Sequence, residues 1–167
     1  MDIFAHGLYS GALGKITGKN KSNSKQIFWW SVLFGMMPDF VAFAPSFIIS
    51  MFSISSGHHA LVGGINLSQI LYPYTHSLVI AVAVFLIVWL LKKAWALPLL
   101  GWVFHILLDI LLHAPDFFPT PFLFPVSSWT SPIGISWGNT YILIGTWVLI
   151  IAYYVWTFVF KGDKQKS

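Results

Sequence analysis

Hydrophobic residues occur along this chain in long runs, which are separated by short polar or lysine-containing segments. Four runs are long and apolar enough to cross a bilayer as helices, at residues 27–52, 75–91, 94–113 and 141–160. The first run contains Gly35 and Pro38, and the third contains His105 and Asp109. Because such residues are poorly suited to a lipid-facing helix, we expect both runs to face the interior of a helix bundle.

The segment 3–18 is only about 15 residues long, which is short for a span. Its glycines recur on one helical face, at Gly7, Gly11, Gly14 and Gly18. Small residues at this spacing let helices approach closely, so we predict a short helix inserted into the bundle. A helix lying flat on the membrane surface is the alternative. The segment lacks a basic region and a cleavage site, which predicts that it is not removed as a signal peptide.

Two long connections remain, at residues 53–74 and 114–140. The second contains five prolines together with Trp129, Trp137 and several phenylalanines. Proline excludes a continuous helix, and the aromatic side chains suit a membrane interface, so we predict a partly inserted outer loop. The sequence therefore predicts one membrane-embedded domain over residues 1–167. Its fold class is an all-α integral membrane bundle of four transmembrane helices plus a short N-terminal inserted helix, with a Pro/aromatic-rich outer loop.

Composition supports a membrane protein, since 57% of residues are hydrophobic and 8% are charged, against about 25% charged in soluble domains. All nine basic residues are lysines that flank the apolar runs. If these lysines face the cytoplasm, the carboxyl terminus is cytoplasmic and the outer loop lies on the opposite side. Their positions argue against nucleic-acid binding. The absence of cysteine excludes disulfides and thiolate metal sites.

The ionisable residues of the apolar runs are the candidate functional residues. His105, Asp109 and His113 are spaced i, i+4 and i+8, which places them on one helical face. At about 1.5 Å of rise per residue from the nearest lysine, Asp39, His76, His105 and Asp109 lie about 18–24 Å into the membrane. These four residues therefore share one layer.

Two further histidines lie near this layer. His6 lies about 14 Å and His113 about 30 Å from the nearest lysine, and helix tilt brings both within reach. His58 and His59, in the connection 53–74, are interpreted as ordinary surface residues. Ser77 is interpreted as a helix-start residue rather than a nucleophile.

Neutral imidazoles and carboxylates at one depth are suitable ligands for one divalent metal ion, with Zn²⁺ favoured over Mn²⁺ or Fe²⁺. The candidate metal ligands are His6, Asp39, His76, His105, Asp109 and His113. A metal-bound water needs a proton acceptor, and His6, Asp39 and His105 are the candidate catalytic residues. A structural network of buried polar groups and a proton or ion relay are the alternatives.

Several short motifs together resemble the YdjM-like, LexA-regulated type of membrane-bound predicted metal-dependent hydrolases of bacteria and archaea. They occur in the family's order: FAHG, MPDF, YTHS, HILLDILLH and TPFLFPVS. The resemblance implies metal-assisted hydrolysis in a prokaryotic cytoplasmic membrane, with the Asp and His residues of these motifs as ligands. Many members have a PDxDH-like run where this chain has PDFVA, and an HRG-like stretch where it has LYP. These departures favour one metal over two.

The resulting hypothesis is a multi-pass hydrolase of the inner membrane, with its site facing the outer side. Its expected partners are membrane lipids and a lipid or lipid-linked substrate, which it would cleave at an ester or phosphoester bond. A small proton or cation channel or transporter that uses the same Asp/His cluster is the first alternative. A non-enzymatic membrane scaffold is the second.

Overall fold

All regular secondary structure in the part of the chain that the structure describes is α-helical. The structure is a computed structural model, and it describes residues 1–55, 67–116 and 118–159. Within these ranges there are six helices: α1 (Ile3–Thr17), α2 (Ser24–Ser55), α3 (Leu67–Thr75), α4 (Leu78–Leu91), α5 (Lys93–Leu112) and α6 (Thr140–Val159). The predicted all-α class is confirmed.

Three of these helices, α2, α5 and α6, are long and apolar enough to cross a membrane. Helices α3 and α4 make a fourth candidate span if they count as one broken helix, with a bend of 53°. Many large apolar side chains face outward, including Leu90, Tyr141 and Phe158. An apolar outer surface of this kind indicates a protein embedded in a membrane.

The connection predicted at residues 53–74 is partly wrong, because residues 67–75 form α3 and α2 extends to Ser55. The helix predicted at 75–91 begins three residues later than expected, at Leu78, because the chain breaks between Thr75 and Leu78. Ser77 has an extended backbone there, and its side chain accepts the N–H of Ile80 at 3.1 Å as the N-cap of α4. This cap starts a new helix in a new direction.

The glycine face of α1 packs closely against α2. A side chain at Gly14 would collide with Ser31, and one at Gly35 would collide with Ser10 and with the carbonyl oxygen of His6. Glycine at these points lets the two backbones approach, as the spacing predicts. The face of α1 that carries His6 and Ser10 is therefore buried.

Helix α6 packs against α1 through Ile150 and Ala5 and is also attached by tyrosine hydroxyls that donate to backbone carbonyls. The hydroxyl of Tyr154 donates to the Leu8 carbonyl at 2.8 Å, and the hydroxyl of Tyr9 donates to the Thr146 carbonyl at 3.2 Å. These bonds hold α6 beside the bundle while most of its surface stays exposed.

The Pro/aromatic-rich segment after α5 has no regular helix among its described residues, as predicted. It closes over the break between α3 and α4, where the N–H of Leu78 donates to the Phe122 carbonyl at 2.9 Å and the Ser77 hydroxyl donates to the Phe124 carbonyl. It also returns to the end of α5, where the Ile135 N–H donates to the Leu111 carbonyl at 2.9 Å. The segment thus covers the end of the bundle at which the helical hydrogen bonding of α3 and α4 is interrupted.

Candidate metal centre

Four of the predicted ligands come together in the interior of the bundle. Asp39 lies on α2, His76 lies in the break between α3 and α4, and His105 and Asp109 lie one turn apart on α5. All four are buried, and one ligand atom from each lies within 4.8 Å of the other three. Among the described residues, this group could hold a metal ion.

The two imidazoles face each other, with 3.1 Å between the Nε2 atoms of His76 and His105. Oδ2 of Asp109 lies 3.4 Å from Nε2 of His76 and 3.2 Å from Nε2 of His105. Oδ1 of Asp39 lies 3.3 Å and 3.8 Å from the same two nitrogens. Tetrahedral zinc with bonds of 2.0–2.1 Å separates its ligand atoms by about 3.3 Å, so this spacing fits one metal ion.

Backbone groups orient both imidazoles toward the centre. Nδ1 of His105 lies 2.7 Å from the carbonyl oxygen of Gly35, which can only accept a hydrogen bond. Nδ1 of His76 lies 2.8 Å from the Thr75 hydroxyl and 3.3 Å from the Tyr72 carbonyl. A proton on each Nδ1 satisfies these oxygens and leaves the Nε2 lone pairs directed inward. This is the usual arrangement around a metal-binding histidine.

The electrostatics of the group also favour a cation. With the histidine protons on Nδ1, Oδ2 of Asp39 and Oδ2 of Asp109 are buried without a hydrogen-bond donor in the part of the chain that the structure describes. Oδ2 of Asp109 lies within 3.4 Å of both Nε2 lone pairs. Buried carboxylates of this kind are costly unless a charge compensates them. The Met1 amino group compensates Asp109 from its Oδ1 side, at 3.3 Å. A cation between the two Nε2 atoms would compensate Asp39 and the Oδ2 side of Asp109. The donor set therefore fits a divalent metal.

The other two predicted ligands, His6 and His113, lie on the opposite side of Asp109. Nε2 of His6 is 2.8 Å and Nδ1 of His113 is 3.5 Å from Oδ1 of Asp109, and the Met1 amino nitrogen is 3.3 Å from the same oxygen. The ring of His6 stacks on His105 at 3.8 Å, and its Nδ1 has no hydrogen-bond partner among the described residues. Both histidines thus adjoin the four-ligand group through Asp109.

Sequence reasoning missed two hydroxyl side chains beside this group, those of Tyr72 and Thr120. Tyr72 stacks on the ring of His76 with 3.8 Å between the ring centroids, and its hydroxyl lies 3.3 Å from the Thr120 hydroxyl. The four-residue spacing from Tyr72 to His76 would have revealed the first contact if α3 had been predicted. His58 and His59, interpreted above as surface residues, lie outside the described residues.

Comparison with known proteins gave no match to a family model, a curated protein or a solved structure. The resemblance to YdjM-like proteins therefore stays a prediction.

Proposed function

We propose that this protein is a membrane-embedded, metal-dependent hydrolase that cleaves an ester or phosphoester bond of a lipid or lipid-linked substrate. The observation that carries the proposal is the convergence of two inward-facing Nε2 atoms and two carboxylates in one buried group. A buried structural network would be expected to pair its polar atoms, yet one oxygen of each carboxylate has no hydrogen-bond partner among the described residues.

The proposed ligands are Asp39, His76, His105 and Asp109, and the proposed ion is one divalent metal. Two nitrogen and two oxygen donors suit Zn²⁺ first, with Mn²⁺ and Fe²⁺ as alternatives. Bound there, the metal would supply a Lewis acid and an acidified water at neutral pH.

Proton transfer is assigned to the histidines beside the ligands. His6 is fully buried and lies 2.8 Å from Asp109 Oδ1, so the carboxylate can orient its ring and stabilise a proton on it. His113 contacts the same oxygen and retains about 10% side-chain exposure. His6 therefore accepts the proton inside the site, and His113 exchanges it with the surroundings.

A lipid-like substrate agrees with the position of the site in the fold. Lys93 begins α5, 16 residues before Asp109, and Lys92 follows the end of α4 that is remote from His76. Lys25, near the start of α2, lies 14 residues before Asp39. With these lysines on the cytoplasmic side, the site lies toward the outer half of an inner membrane. A lipid substrate would then approach the site through the membrane, along the surrounding apolar surface.

The test begins with metal analysis of the protein purified in detergent. We expect one divalent ion per wild-type chain and none in Asp109→Asn, whereas Asp116→Asn, which changes an exposed aspartate of the outer loop, retains the ion. The loaded wild type is then screened against phospholipids and lipid phosphates in mixed micelles. Hydrolysis that Asp109→Asn lacks and Asp116→Asn retains is the expected result.

Two results would contradict the proposal. The first is wild-type protein without stoichiometric metal after incubation with Zn²⁺, Mn²⁺ or Fe²⁺. The second is ion movement across sealed vesicles, with no hydrolysis of any ester, that Asp109→Asn abolishes.

A further inference from the structure

Two hydroxyl groups and one imidazole form a small polar cluster next to the metal centre. The Tyr72 hydroxyl lies 3.3 Å from the Thr120 hydroxyl and 3.5 Å from Nδ1 of His113, and the Thr120 hydroxyl lies 3.3 Å from the same nitrogen. The residues come from α3, the outer loop and the end of α5, and all three are buried. We call them the hydroxyl cluster.

The contacts within the hydroxyl cluster are long. At 3.3–3.5 Å they are longer hydrogen bonds than the usual bonds of about 2.7–2.8 Å between hydroxyl groups. Hydroxyl hydrogens can rotate about the C–O bond, so the two donors can turn from their present partners toward another acceptor. Both hydroxyls can therefore donate to a ligand oxygen.

The hydroxyl cluster adjoins the metal centre on two sides. The Tyr72 ring stacks on His76, with 20° between the ring planes. His113 reaches Asp109, whose other oxygen belongs to the four-ligand group. The hydroxyl cluster therefore lies directly beside two of the four proposed ligands, His76 and Asp109.

Apolar rings surround the cluster on its outer side. The ring centroid of Phe118 lies 4.9 Å from that of Tyr72, in an edge-to-face contact. The ring centroid of Phe43 lies 5.9 Å from the same Tyr72 centroid. Phe118 has a φ of 54°, a backbone conformation that is unusual for a bulky residue. Hydroxyl donors beside apolar rings act in a low-dielectric setting, where a hydrogen bond to a charged oxygen is strengthened.

We propose that the hydroxyl cluster is a binding subsite for the oxygen on which negative charge develops during hydrolysis. Tyr72 and Thr120 donate their hydroxyl hydrogens to this oxygen. The His113 ring, which contacts both hydroxyls, borders the space that the oxygen occupies. The inference rests on the proposed function, since it assigns the subsite to the same reaction. Its ligand class is a tetrahedral oxyanion, for which inorganic phosphate is a soluble probe.

The experiment measures phosphate binding to the zinc-loaded protein in detergent by calorimetry. Tyr72→Phe retains the ring that packs on His76 and removes the hydroxyl, and Thr120→Val is the corresponding change in the loop. We expect each to keep one zinc per chain and to weaken phosphate binding about tenfold or more, as for loss of a hydrogen bond to a charged group. Tyr153→Phe removes a hydroxyl that donates to the Ala12 carbonyl elsewhere, and it should bind phosphate like the wild type.

The outcomes separate this inference from the proposed function. If wild-type protein binds zinc but the two variants bind phosphate as it does, or if wild-type protein binds zinc and no phosphate, the subsite is overturned while the metal centre stands. If Tyr72→Phe loses zinc together with phosphate, Tyr72 supports His76 and the subsite is again overturned. If wild-type protein binds no metal, the proposed function and the subsite fail together.

Discussion

His76 and His105 direct their Nε2 atoms at each other across 3.1 Å, although the two residues are 29 positions apart in the chain. When both rings carry their proton on Nδ1, two lone pairs face each other beside two carboxylates. This arrangement is unfavourable without a cation and favourable with one. Metal binding should therefore contribute to the stability of the fold.

The first prediction concerns removal of the metal. A chelator should lower the unfolding temperature of the wild type, because a ligand present at 100 times its dissociation constant stabilises the folded state by about 2.7 kcal/mol. His105→Ala should be less stable and should not respond to the chelator. Thermal unfolding in detergent, repeated after zinc is restored, provides the measurement. A wild-type protein whose unfolding temperature is unaffected by the chelator would argue against a metal in this group.

A second prediction concerns Gly35, which supports both the contact of α1 with α2 and the orientation of His105. In Gly35→Ala the new Cβ atom would lie 2.9 Å from the His6 carbonyl oxygen and would collide with Ser10. Overpacking of this kind costs about 1–3 kcal/mol, and the displaced Gly35 carbonyl should misorient His105 and reduce zinc binding. Chemical unfolding and metal analysis test both effects.

Gly145→Ala is the matched control, because nothing lies within 4 Å of a Cβ atom at that position of α6. It should retain zinc and should gain up to about 1 kcal/mol of stability from improved helix propensity. Equal effects of the two substitutions would contradict the role assigned to Gly35.

A third prediction concerns the attachment of α6. Tyr154→Phe removes the hydroxyl that donates to the Leu8 carbonyl at 2.8 Å, and it should destabilise the protein by about 0.5–1.5 kcal/mol. The metal content should not change, since neither residue belongs to the metal centre. Tyr141→Phe removes a hydroxyl from an exposed residue of the same helix and should have no measurable effect on unfolding.

The fourth prediction concerns the break before α4. Ser77→Ala removes the N-cap of α4 and the hydrogen bond to the Phe124 carbonyl, so a loss of about 1–2 kcal/mol is expected. Because His76 precedes Ser77, zinc affinity should fall as well. Ser50→Ala, at an exposed position of α2, should leave zinc affinity unchanged. Titration with a competing zinc chelator distinguishes the two variants.

Sequence reasoning found the four members of the metal centre because two simple rules apply to them. His105 and Asp109 are one helical turn apart, so any helix there places them on one face. Asp39 and His76 lie at similar distances from the lysines that flank their helices. The depth of a residue in the membrane and the helix face on which it lies both follow from its position within one helix. The sequence alone therefore reveals them.

The remaining parts depend on contacts between segments and were not predictable in this way. Helix α3 has nine residues and contains Pro73, so its sequence favours a loop. It is held against α2, where the Ser68 N–H donates to the Ser46 hydroxyl at 2.9 Å. Without α3, the contact of Tyr72 with His76 could not be anticipated, and the partnership of Tyr72 with Thr120 depends on how the outer loop folds back.

The distribution of the ligands over separate helices has a consequence for biogenesis. Asp39 enters the membrane on α2 before His76 and the two ligands of α5 have been synthesised, so the early chain carries an uncompensated carboxylate. The metal centre becomes complete only after α5 has packed against α2. Under the proposed function, metal loading would therefore belong to the last stage of assembly, and the ion would hold together helices that were inserted one after another.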